Sequence, residues 1–392
     1  MTQPRIYFDN NATTRIDDRV LARMNECWKV AFANPGSAHD SCRAARTVLE
    51  DSRESIAKIL DADPSELIFT SGGTESLNMA IHGFAYRRQG IIALTAGEHP
   101  AVSEAVGKAV SAGFDRLVMP VNHAGLLVDD AMTAFPWPDL RLVCVILAHN
   151  ETGVIQNIQR LGALCQQHQV PLVVDAVQAT GKIPISFRQL NCSALAFGAH
   201  KFHGPRGVGG LLLRKGLRIP PLLQGGHQES GRRAGTESVP LIAGMAAALE
   251  LWQAESHERI RFMTELRDRL EELLQLHSAP VIIHGRSAPR LPNTLSIAFP
   301  GVTGESLLLN LHLAGIACSL GSTCASGSAE PAPALLAMGV APEDCRSTIR
   351  ISLSCQNTAK EIQDAAEVIS KIVGRMRAES SIGGTEHVAG SK

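Results

Sequence analysis

Residues 196–210, AFGAHKFHGPRGVGG, place a lysine between an apolar run and a glycine-rich turn. Lys201 is one of only nine lysines in a chain that has 28 arginines, and it lies between two histidines. A lysine withdrawn from water has a lowered pKa, and its neutral amine can form a Schiff base with an aldehyde. A surface lysine in a turn is the alternative, and this segment alone leaves both explanations open.

Apolar runs on both sides of this segment also end in polar or glycine-rich turns. They cover residues 67–70, 142–148, 172–174, 195–197 and 209–213. Continuous apolar strands separated by helical stretches are typical of a mostly parallel sheet that is covered on both faces. Ligands of such folds bind beyond the carboxyl ends of the strands. The sequence therefore predicts an α/β fold with its site in these turns.

The character of the chain changes near residue 255. Residues 255–276 have the spacing of an amphipathic helix, and apolar strand patterns follow at 294–299 and 349–353. A capping-box pattern at Thr358 begins a last helix that is expected to run to about Arg377.

These patterns predict two domains. The large domain comprises residues 16–255, and a smaller α+β domain comprises residues 256–377. Residues 1–15 are expected to pack with the small domain, and the small, polar residues 378–392 are expected to be disordered.

Composition excludes several classes of protein. The chain has 392 residues, a net charge of −1 and 45% hydrophobic residues, as expected for a soluble globular protein without general affinity for nucleic acid or anionic membranes. It has no run of about 18 apolar residues and no apolar signal-peptide core at its N-terminus, so we expect a cytoplasmic location. Nine cysteines without a Cys-x-x-Cys pair argue against a disulfide framework or a metal site.

Two of the turns carry groups that suit a phosphorylated aromatic cofactor. SGGT at 71–74 stands where a strand turns into a helix, and backbone N–H groups at such a turn bind phosphate. Asp175 follows an apolar strand and can pair with a protonated ring nitrogen, as pyridoxal phosphate requires. Gln178 can reach the phenolic oxygen of the same ring. An ordinary Gly-Gly turn and an N-cap aspartate are the alternatives.

Three further residues are candidates for substrate binding or thiol chemistry. His99 can stack on an aromatic cofactor or move protons, although a lone histidine is more often structural. Arg350 lies within an apolar strand pattern and needs an anion, either a substrate carboxylate or a structural partner. Cys324 lies in CSLGSTCASGSAEP at 318–331, a loop-like segment in which exposure favours a reactive thiol.

These motifs occur together and in order. The chain resembles a cysteine desulfurase of the group with a long catalytic loop, within the class-V aminotransferase-like, fold-type I pyridoxal-phosphate enzymes. The resemblance covers about residues 5–377 and implies a mostly parallel seven-stranded sheet in the large domain. It rests on YFDNNATT at 7–14, NPGSAH at 34–39, TSGGTES at 70–76, EH at 98–99, HNETG at 149–153, DAVQ at 175–178, HK at 200–201, GGHQESGRRAGTE at 225–237, the Cys324 loop and IRISL at 349–353.

The resemblance implies a role for each candidate residue. Lys201 would bind pyridoxal 5′-phosphate covalently and then act as the base at the substrate Cα. Asn150 and Arg350 would hold the carboxylate of L-cysteine, and Cys324 would attack its sulfur. On the cofactor ring, His99 would stack on the face, Asp175 would pair with the pyridine nitrogen and Gln178 would bond to the phenolic oxygen. The phosphate would be bound by Gly73, Thr74, the Gly198 position and His200. Thr236 of the neighbouring subunit in a homodimer would complete the phosphate site.

The sequence departs from the family pattern at three places. The family usually has a phosphate-binding serine where this chain has Gly198, and the lost hydrogen bond is worth roughly 1.5–3 kcal/mol. Around Cys324 the family commonly reads GSACTS, whereas this chain reads GSTCAS at 321–326. The C-terminal residues do not match the scaffold-docking tail of the housekeeping subgroup, which leaves the sulfur acceptor open.

We therefore expect a cysteine desulfurase that converts L-cysteine to L-alanine and delivers sulfur, through a persulfide, to an acceptor such as an iron–sulfur scaffold protein. A selenocysteine lyase or a class-V aminotransferase of small amino acids is the alternative, and the aminotransferase would not require Cys324. A non-catalytic scaffold would have no use for Lys201, Asp175, His99 and Arg350 together.

Overall fold

A seven-stranded sheet forms the centre of the structure, a computed structural model that describes residues 6–86, 89–320 and 332–386, with 380–386 as backbone only. The strands of the described residues are β1 Ile6–Tyr7, β2 Leu67–Thr70, β3 Ile91–Thr95, β4 Asp115–Met119, β5 Leu140–Ile146, β6 Leu172–Asp175, β7 Ala194–Gly198, β8 Gly209–Leu213, β9 Ile282–Ile283, β10 Thr294–Ala298, β11 Ile316–Ala317 and β12 Thr348–Ser352. The α-helices are α1 Asp18–Val30, α2 Asp40–Ile59, α3 Gly73–Phe84, α4 Pro100–Ser111, α5 Asp129–Thr133, α6 Gln159–Gln167, α7 Val239–His277, α8 Gly304–Leu313, α9 Pro333–Ala337, α10 Pro342–Arg346 and α11 Ala359–Glu386.

The large sheet has the strand order β2-β8-β7-β6-β5-β3-β4. Strand β8 is antiparallel to both of its neighbours, whereas β2 and the other strands run in one direction. The predicted α/β fold with a mostly parallel seven-stranded sheet is confirmed. Strands β3 and β4 were not predicted; β4 lies at an edge of the sheet and is largely exposed, so it lacks the continuous apolar pattern of a buried strand.

Both faces of the large sheet are buried, which explains the continuous apolar strands. Val143 and Val145 of β5 point into one hydrophobic cluster, together with residues of α2, α6 and α7. Leu142 and Cys144 of the same strand point into a second cluster with α3 and α4. Successive side chains therefore meet opposite helical layers, and the sheet is covered on both sides.

A smaller antiparallel sheet has the order β12-β10-β9 and packs against α8, α11 and the second half of α7. The N-terminal strand β1 pairs in parallel with β11, and Asp9 forms a bridge to Ser352 beside it. The N-terminal segment therefore lies against this second core.

Helix α7 begins at Val239, earlier than the predicted start at residue 255. Its first half is buried in the core of the large sheet through Ile242 and Met245, and its second half is buried in the other core through Leu270. A segment that is apolar on nearly every face has no amphipathic period, so the pattern revealed only the second half. The predicted domain boundary near 255 falls within this continuous helix.

Helix α11 ends at Glu386, beyond the predicted end at Arg377. The helix is anchored by buried residues such as Ile369 and Val373, and it extends by one backbone hydrogen bond per added residue. The disorder of residues 378–392 stays a prediction. Residues 387–392 lie outside the described part of the chain. None of the helices described here combines the length and the hydropathy that a membrane span requires.

Candidate active site

Most of the predicted site residues lie at one edge of the large sheet. Since β2, β3, β5, β6 and β7 run in the same direction, the turns that follow them meet at this edge. The structure brings together Gly73 and Thr74 after β2, His99 after β3, Asn150 after β5, Asp175 and Gln178 at the end of β6, and Gly198, His200 and Lys201 at the end of β7.

Lys201 is the last residue of a short 3-10 helix, Ala199–Lys201, that continues β7. Its Nζ donates to the carbonyl oxygens of Asn11 at 2.7 Å and Ala12 at 2.9 Å. Burial, reinforced by the positive charge of Arg350, lowers the pKa of Lys201 to about 8. Lys201 is therefore not a solvated surface lysine, and a substantial fraction of its amine is neutral near physiological pH.

Asp175 is the last residue of β6, and only 3% of it is exposed. Its Oδ1 accepts a hydrogen bond from Val177 N at 2.9 Å, so it caps a turn rather than a helix. No hydrogen bond to Oδ2 is found within the described residues. Burial raises the pKa of Asp175, and the hydrogen bond from Val177 N and the positive charge of Lys201 oppose that effect. A cationic ligand at Oδ2 would therefore hold Asp175 in its ionised form.

His99 precedes α4 and caps that helix. Its Nδ1 accepts from Ala101 N at 3.1 Å, so the neutral ring carries its proton on Nε2. Burial lowers the pKa of His99, which favours this neutral form. The imidazole is thus fixed in one tautomer, with an N–H group available at the opposite end of the ring.

Glu98 is a buried carboxyl that sequence reasoning treated only as part of a motif. Its Oε1 accepts from Ile146 N at 2.7 Å. Burial, reinforced by the negative charge of Asp175, raises the pKa of Glu98 to about 8. Glu98 is therefore largely protonated at neutral pH, and it leaves the negative charge of this region to Asp175. Its position beside His99 was the only sequence signal for this role.

The N-terminus of α3 suits an anion. The helix begins at Gly73, and its N-cap residue Gly72 offers no side chain to the first N–H groups. A Cβ atom at position 73 would lie 2.4 Å from a methyl carbon of Val177, so glycine is what allows the helix to approach the turn after β6. The sheet edge and the helix N-terminus are therefore in close contact.

His200 and Gly198 lie beside this helix N-terminus. His200 Nδ1 is 3.2 Å from Thr13 Oγ1, and burial together with the charge of Lys201 lowers the pKa of His200 to about 4. A Cβ atom at Gly198 would lie 3.3 Å from Gly73 N and 4.0 Å from His200 Nε2. The departure from the family pattern at Gly198 thus falls between two of the predicted phosphate-binding groups.

Arg350 has both of the partners that the sequence left as alternatives. It lies buried in β12, and its Nη2 donates to Asp9 Oδ1 at 2.8 Å, which is a structural ion pair. Its Nη1 donates to the backbone oxygen of Asn150 at 3.2 Å. Arg350 Nε is buried without a hydrogen-bond partner among the described residues. A buried donor of this kind requires an acceptor, and a ligand carboxylate would provide one.

Thr236 is not brought to this edge of its own chain. Thr236 is exposed and borders a separate cavity with Thr70, Ser71 and Arg233. In the part of the chain that the structure describes, no hydrogen bond connects Thr236 with Gly73 or His200. Cys324 lies outside the described residues.

Sequence reasoning also missed Asn11 and Lys182, which are buried beside Lys201 and Gln178. Asn11 lies in the quoted motif at 7–14, but no role followed from the motif itself. Lys182 lies four residues after Gln178, and a lysine in a short polar-apolar segment gives no local sign of burial.

Residues 6–364 match the model of the protein family described as aminotransferase class-V, and the chain belongs to this family. Cysteine desulfurase IscS of Dictyoglomus turgidum is 39% identical over 375 residues, or 95% of either chain. Cysteine desulfurase NifS of Azotobacter vinelandii is 38% identical over 376 residues, or 95% of this chain and 93% of that protein. Within the family, the chain groups with the cysteine desulfurases, as its motifs predicted.

Solved structures agree with this grouping. A NifS-like protein has a TM-score of 0.88 and 38% sequence identity, with 94% of this chain and 99% of that chain covered. A structure described as SspA in complex with cysteine has a TM-score of 0.79 and 30% identity, with 90% of this chain and 100% of that chain covered.

Proposed function

We propose that this cysteine desulfurase binds pyridoxal phosphate through Lys201 and forms L-alanine from L-cysteine, with the sulfur passing first to Cys324. One observation carries the proposal: a lysine whose pKa is lowered to about 8 lies at the sheet edge that also holds the buried Asp175. A nucleophilic amine and a buried carboxylate at one site are what this cofactor requires of a protein. The names of the relatives indicate the same activity.

The residues at the sheet edge fit pyridoxal phosphate. The uncapped N-terminus of α3 at Gly73 and the neutral His200 suit its phosphate. Asp175 Oδ2 suits the protonated ring nitrogen, and the Nε2 group of Gln178 suits the phenolic oxygen. When bound, the cofactor supplies an electron sink for negative charge at the substrate Cα.

Proton movement falls to Lys201 in this proposal. An amine with a pKa of about 8 can accept the Cα proton near neutral pH and return it later, which an ordinary lysine cannot do efficiently. The protonated Glu98 adds no second negative charge beside Asp175. The fixed imidazole of His99 can stack on the cofactor ring, and its Nε2–H group can donate a hydrogen bond.

Substrate orientation falls to Arg350 and Asn150. The unpartnered Nε of Arg350 lies next to Nη2, so the guanidinium can bind a carboxylate while it keeps its ion pair with Asp9. The backbone oxygen of Asn150 accepts from Arg350 Nη1, so residue 150 lies against the guanidinium, and we assign its side chain to the substrate as well.

The sulfur step requires a thiolate from Cys324. Its Sγ attacks the sulfur of the substrate, an S–S bond forms and the Cβ–S bond breaks. The electron pair of the broken bond stays on the three-carbon fragment, which leaves as L-alanine after protonation. The persulfide then passes its outer sulfur to an acceptor, for which an iron–sulfur scaffold protein is our proposal.

A homodimer is part of this proposal. Thr236 is exposed and does not hydrogen-bond to the phosphate-binding groups of its own chain in the described residues. A second copy could therefore receive this hydroxyl at its phosphate end, in agreement with the family pattern.

The test compares the wild type with Cys324→Ala and Cys318→Ala, with L-cysteine as substrate. L-Alanine and enzyme-bound persulfide are measured. Cys318 is a matched control because burial raises its pKa to about 12, which makes it a poor thiolate. We expect Cys324→Ala to lose both products and Cys318→Ala to keep them. Equal alanine formation by wild type and Cys324→Ala would show that the sulfur does not pass through Cys324.

A further inference from the structure

Lys182 is a buried lysine whose contacts are all amide oxygens. Only 4% of it is exposed. Its Nζ donates to Asn11 Oδ1 at 2.9 Å and to Gln178 Oε1. Among the described residues, no carboxylate forms an ion pair with it. Burial without a counter-ion, reinforced by the positive charges of Lys201 and Arg350, lowers the pKa of Lys182 well below its ordinary value, so hydrogen bonds to the two amides hold the amine in place.

The two amides beside Lys182 can point in one direction only. The amine donates to Gln178 Oε1 and to Asn11 Oδ1, and the latter also accepts from Asn293 Nδ2 at 3.1 Å, so both amide oxygens face donors. The opposite ends of the amides then become donors. Asn11 Nδ2 donates to Asn150 O at 3.1 Å and to Thr294 Oγ1 at 2.9 Å.

The orientation of Gln178 has a consequence for the site. Its Nε2 donates one proton to Asn11 O at 2.8 Å, a carbonyl that only accepts, so this contact and the donation from Lys182 to Oε1 favour the same orientation. An amide nitrogen carries two protons, so the second one remains available to a ligand. The same Asn11 oxygen accepts from Lys201 Nζ at 2.7 Å, which places this amide group next to the reactive amine.

We propose that Lys182 is a positioning residue of the desulfurase site, which fixes the Gln178 amide so that an N–H group, and not the carbonyl, faces the phenolic oxygen of the cofactor. The inference rests on the proposed binding of pyridoxal phosphate. A reversed amide would direct its oxygen at an anionic phenolic oxygen, and the attraction would become a repulsion.

The test measures the visible absorbance of the bound cofactor as a function of pH. An N–H group at the phenolic oxygen stabilises its deprotonated form, so the loss of that group raises the pKa of the absorbance change. We expect Lys182→Met to raise that pKa by about one pH unit and to weaken cofactor binding to the apoprotein about tenfold. Gln178→Leu is expected to do the same.

The double variant separates positioning from simple loss of charge. If Lys182 acts through Gln178, the double variant shifts the pKa no further than either single variant. Additive shifts would overturn the proposal, as would a wild-type titration in Lys182→Met. Arg259→Met is the control for loss of a buried cation elsewhere; it is expected to lower the melting temperature without changing the titration.

Two further outcomes keep the inference distinct from the proposed function. A wild type that binds no pyridoxal phosphate would refute the proposed function itself. If Lys182→Met does not fold, Lys182→Leu is measured instead, because it also lacks the donor that Gln178 Oε1 needs. A titration of Lys182→Leu that is unchanged from wild type would also overturn the positioning role.

Discussion

The site has two sides that are built in different ways. The strand-end side lies at or just after the ends of strands of one sheet, and it consists of Gly73, His99, Asp175, His200 and Lys201. The junction side consists of Asn11, Thr294, Arg350 and Ser352, where the N-terminal segment meets the smaller sheet. There Asn11 N donates to Ser352 Oγ at 2.9 Å and Asn11 Nδ2 donates to Thr294 Oγ1 at 2.9 Å.

The two sides also have different roles in the proposed reaction. The strand-end side holds groups whose pKa values are shifted by burial, such as Lys201 and Asp175. The junction side holds a guanidinium with a spare donor, Arg350 Nε. Changes on the first side should therefore lower kcat or cofactor affinity, whereas changes on the second side should mainly raise KM.

The largest effect is expected on the strand-end side, from Lys201→Ala. Removal of the amine eliminates both the covalent link to the cofactor and the base, and general base catalysis alone contributes about 10²–10⁴-fold. We expect kcat for alanine formation to fall by at least about 10³-fold. Single-turnover assays measure this loss, with the exposed Lys215→Ala as control. A loss below tenfold would refute the role of Lys201.

The next effect is expected on the junction side, from Arg350→Met. Hydrogen bonds to charged groups are worth about 1.5–3 kcal/mol each, so the loss of a carboxylate contact should raise KM for L-cysteine about 100-fold. Steady-state kinetics separate KM from kcat.

Asp9→Asn is the matched variant for the junction side, because an asparagine oxygen can still accept from Arg350 Nη2. We expect this variant to change KM only a few-fold. If both variants changed KM equally, the ion pair with Asp9 would be the whole function of Arg350, and the division between the two sides would fail.

The residues of the two sides also differ in how well their roles could be predicted from the sequence. Asp175 and Lys201 were found because each follows an apolar run in a polar turn, and that signal is local. Asn11 and Lys182 were missed because their roles depend on contacts across more than a hundred residues of chain, as between Lys182 Nζ and Asn11 Oδ1. Arg350 was recognised as a residue that needs an anion, but only the structure identified Asp9 as one of its partners.

The fold shows the same limit. The buried strands β6, β7 and β8 were predicted from their continuous apolar runs. The first half of α7 was missed because burial on nearly all of its faces removes the helical period, and the end of α11 was misplaced because no residue after Arg377 stops a helix at once. A short apolar run thus reveals a strand buried on both faces, whereas a helix buried on nearly all faces leaves no period by which to recognise it.

A third effect concerns pH and the strand-end side without cofactor. Lys201 has a folded-state pKa of about 8 against an ordinary value of 10.5. Between these pH values the unfolded chain holds more protons than the folded chain, so the free energy of unfolding should rise with pH. At about 1.4 kcal/mol for each pH unit, the full rise is about 3 kcal/mol. Denaturant unfolding of the apoprotein measures it.

Lys201→Met is the reference for this measurement. The variant lacks the titrating amine, so the difference in unfolding free energy between wild type and variant should change across this pH window and level off on both sides of it. A constant difference would mean that the amine of Lys201 titrates like an ordinary lysine. The claim that Lys201 is a neutral nucleophile near physiological pH would then be wrong.

The smallest effect is a gain at the phosphate end, from Gly198→Ser. The backbone there is extended, with φ −142° and ψ 129°, which any residue can adopt, but a Cβ atom would lie 3.3 Å from Gly73 N, so the helix N-terminus must shift by a few tenths of an ångström. A new hydroxyl would emerge near Gly73 N and His200 Nε2, and one added hydrogen bond to a phosphate should tighten cofactor binding about tenfold. Titration of the apoprotein with pyridoxal phosphate gives the dissociation constant.

Gly198→Ala is the control, because it supplies the Cβ atom without the hydroxyl, and we expect it to bind pyridoxal phosphate no tighter than wild type. Equal affinities of the serine and alanine variants would mean that backbone N–H groups already satisfy the phosphate, and that the strand-end side is complete without the serine.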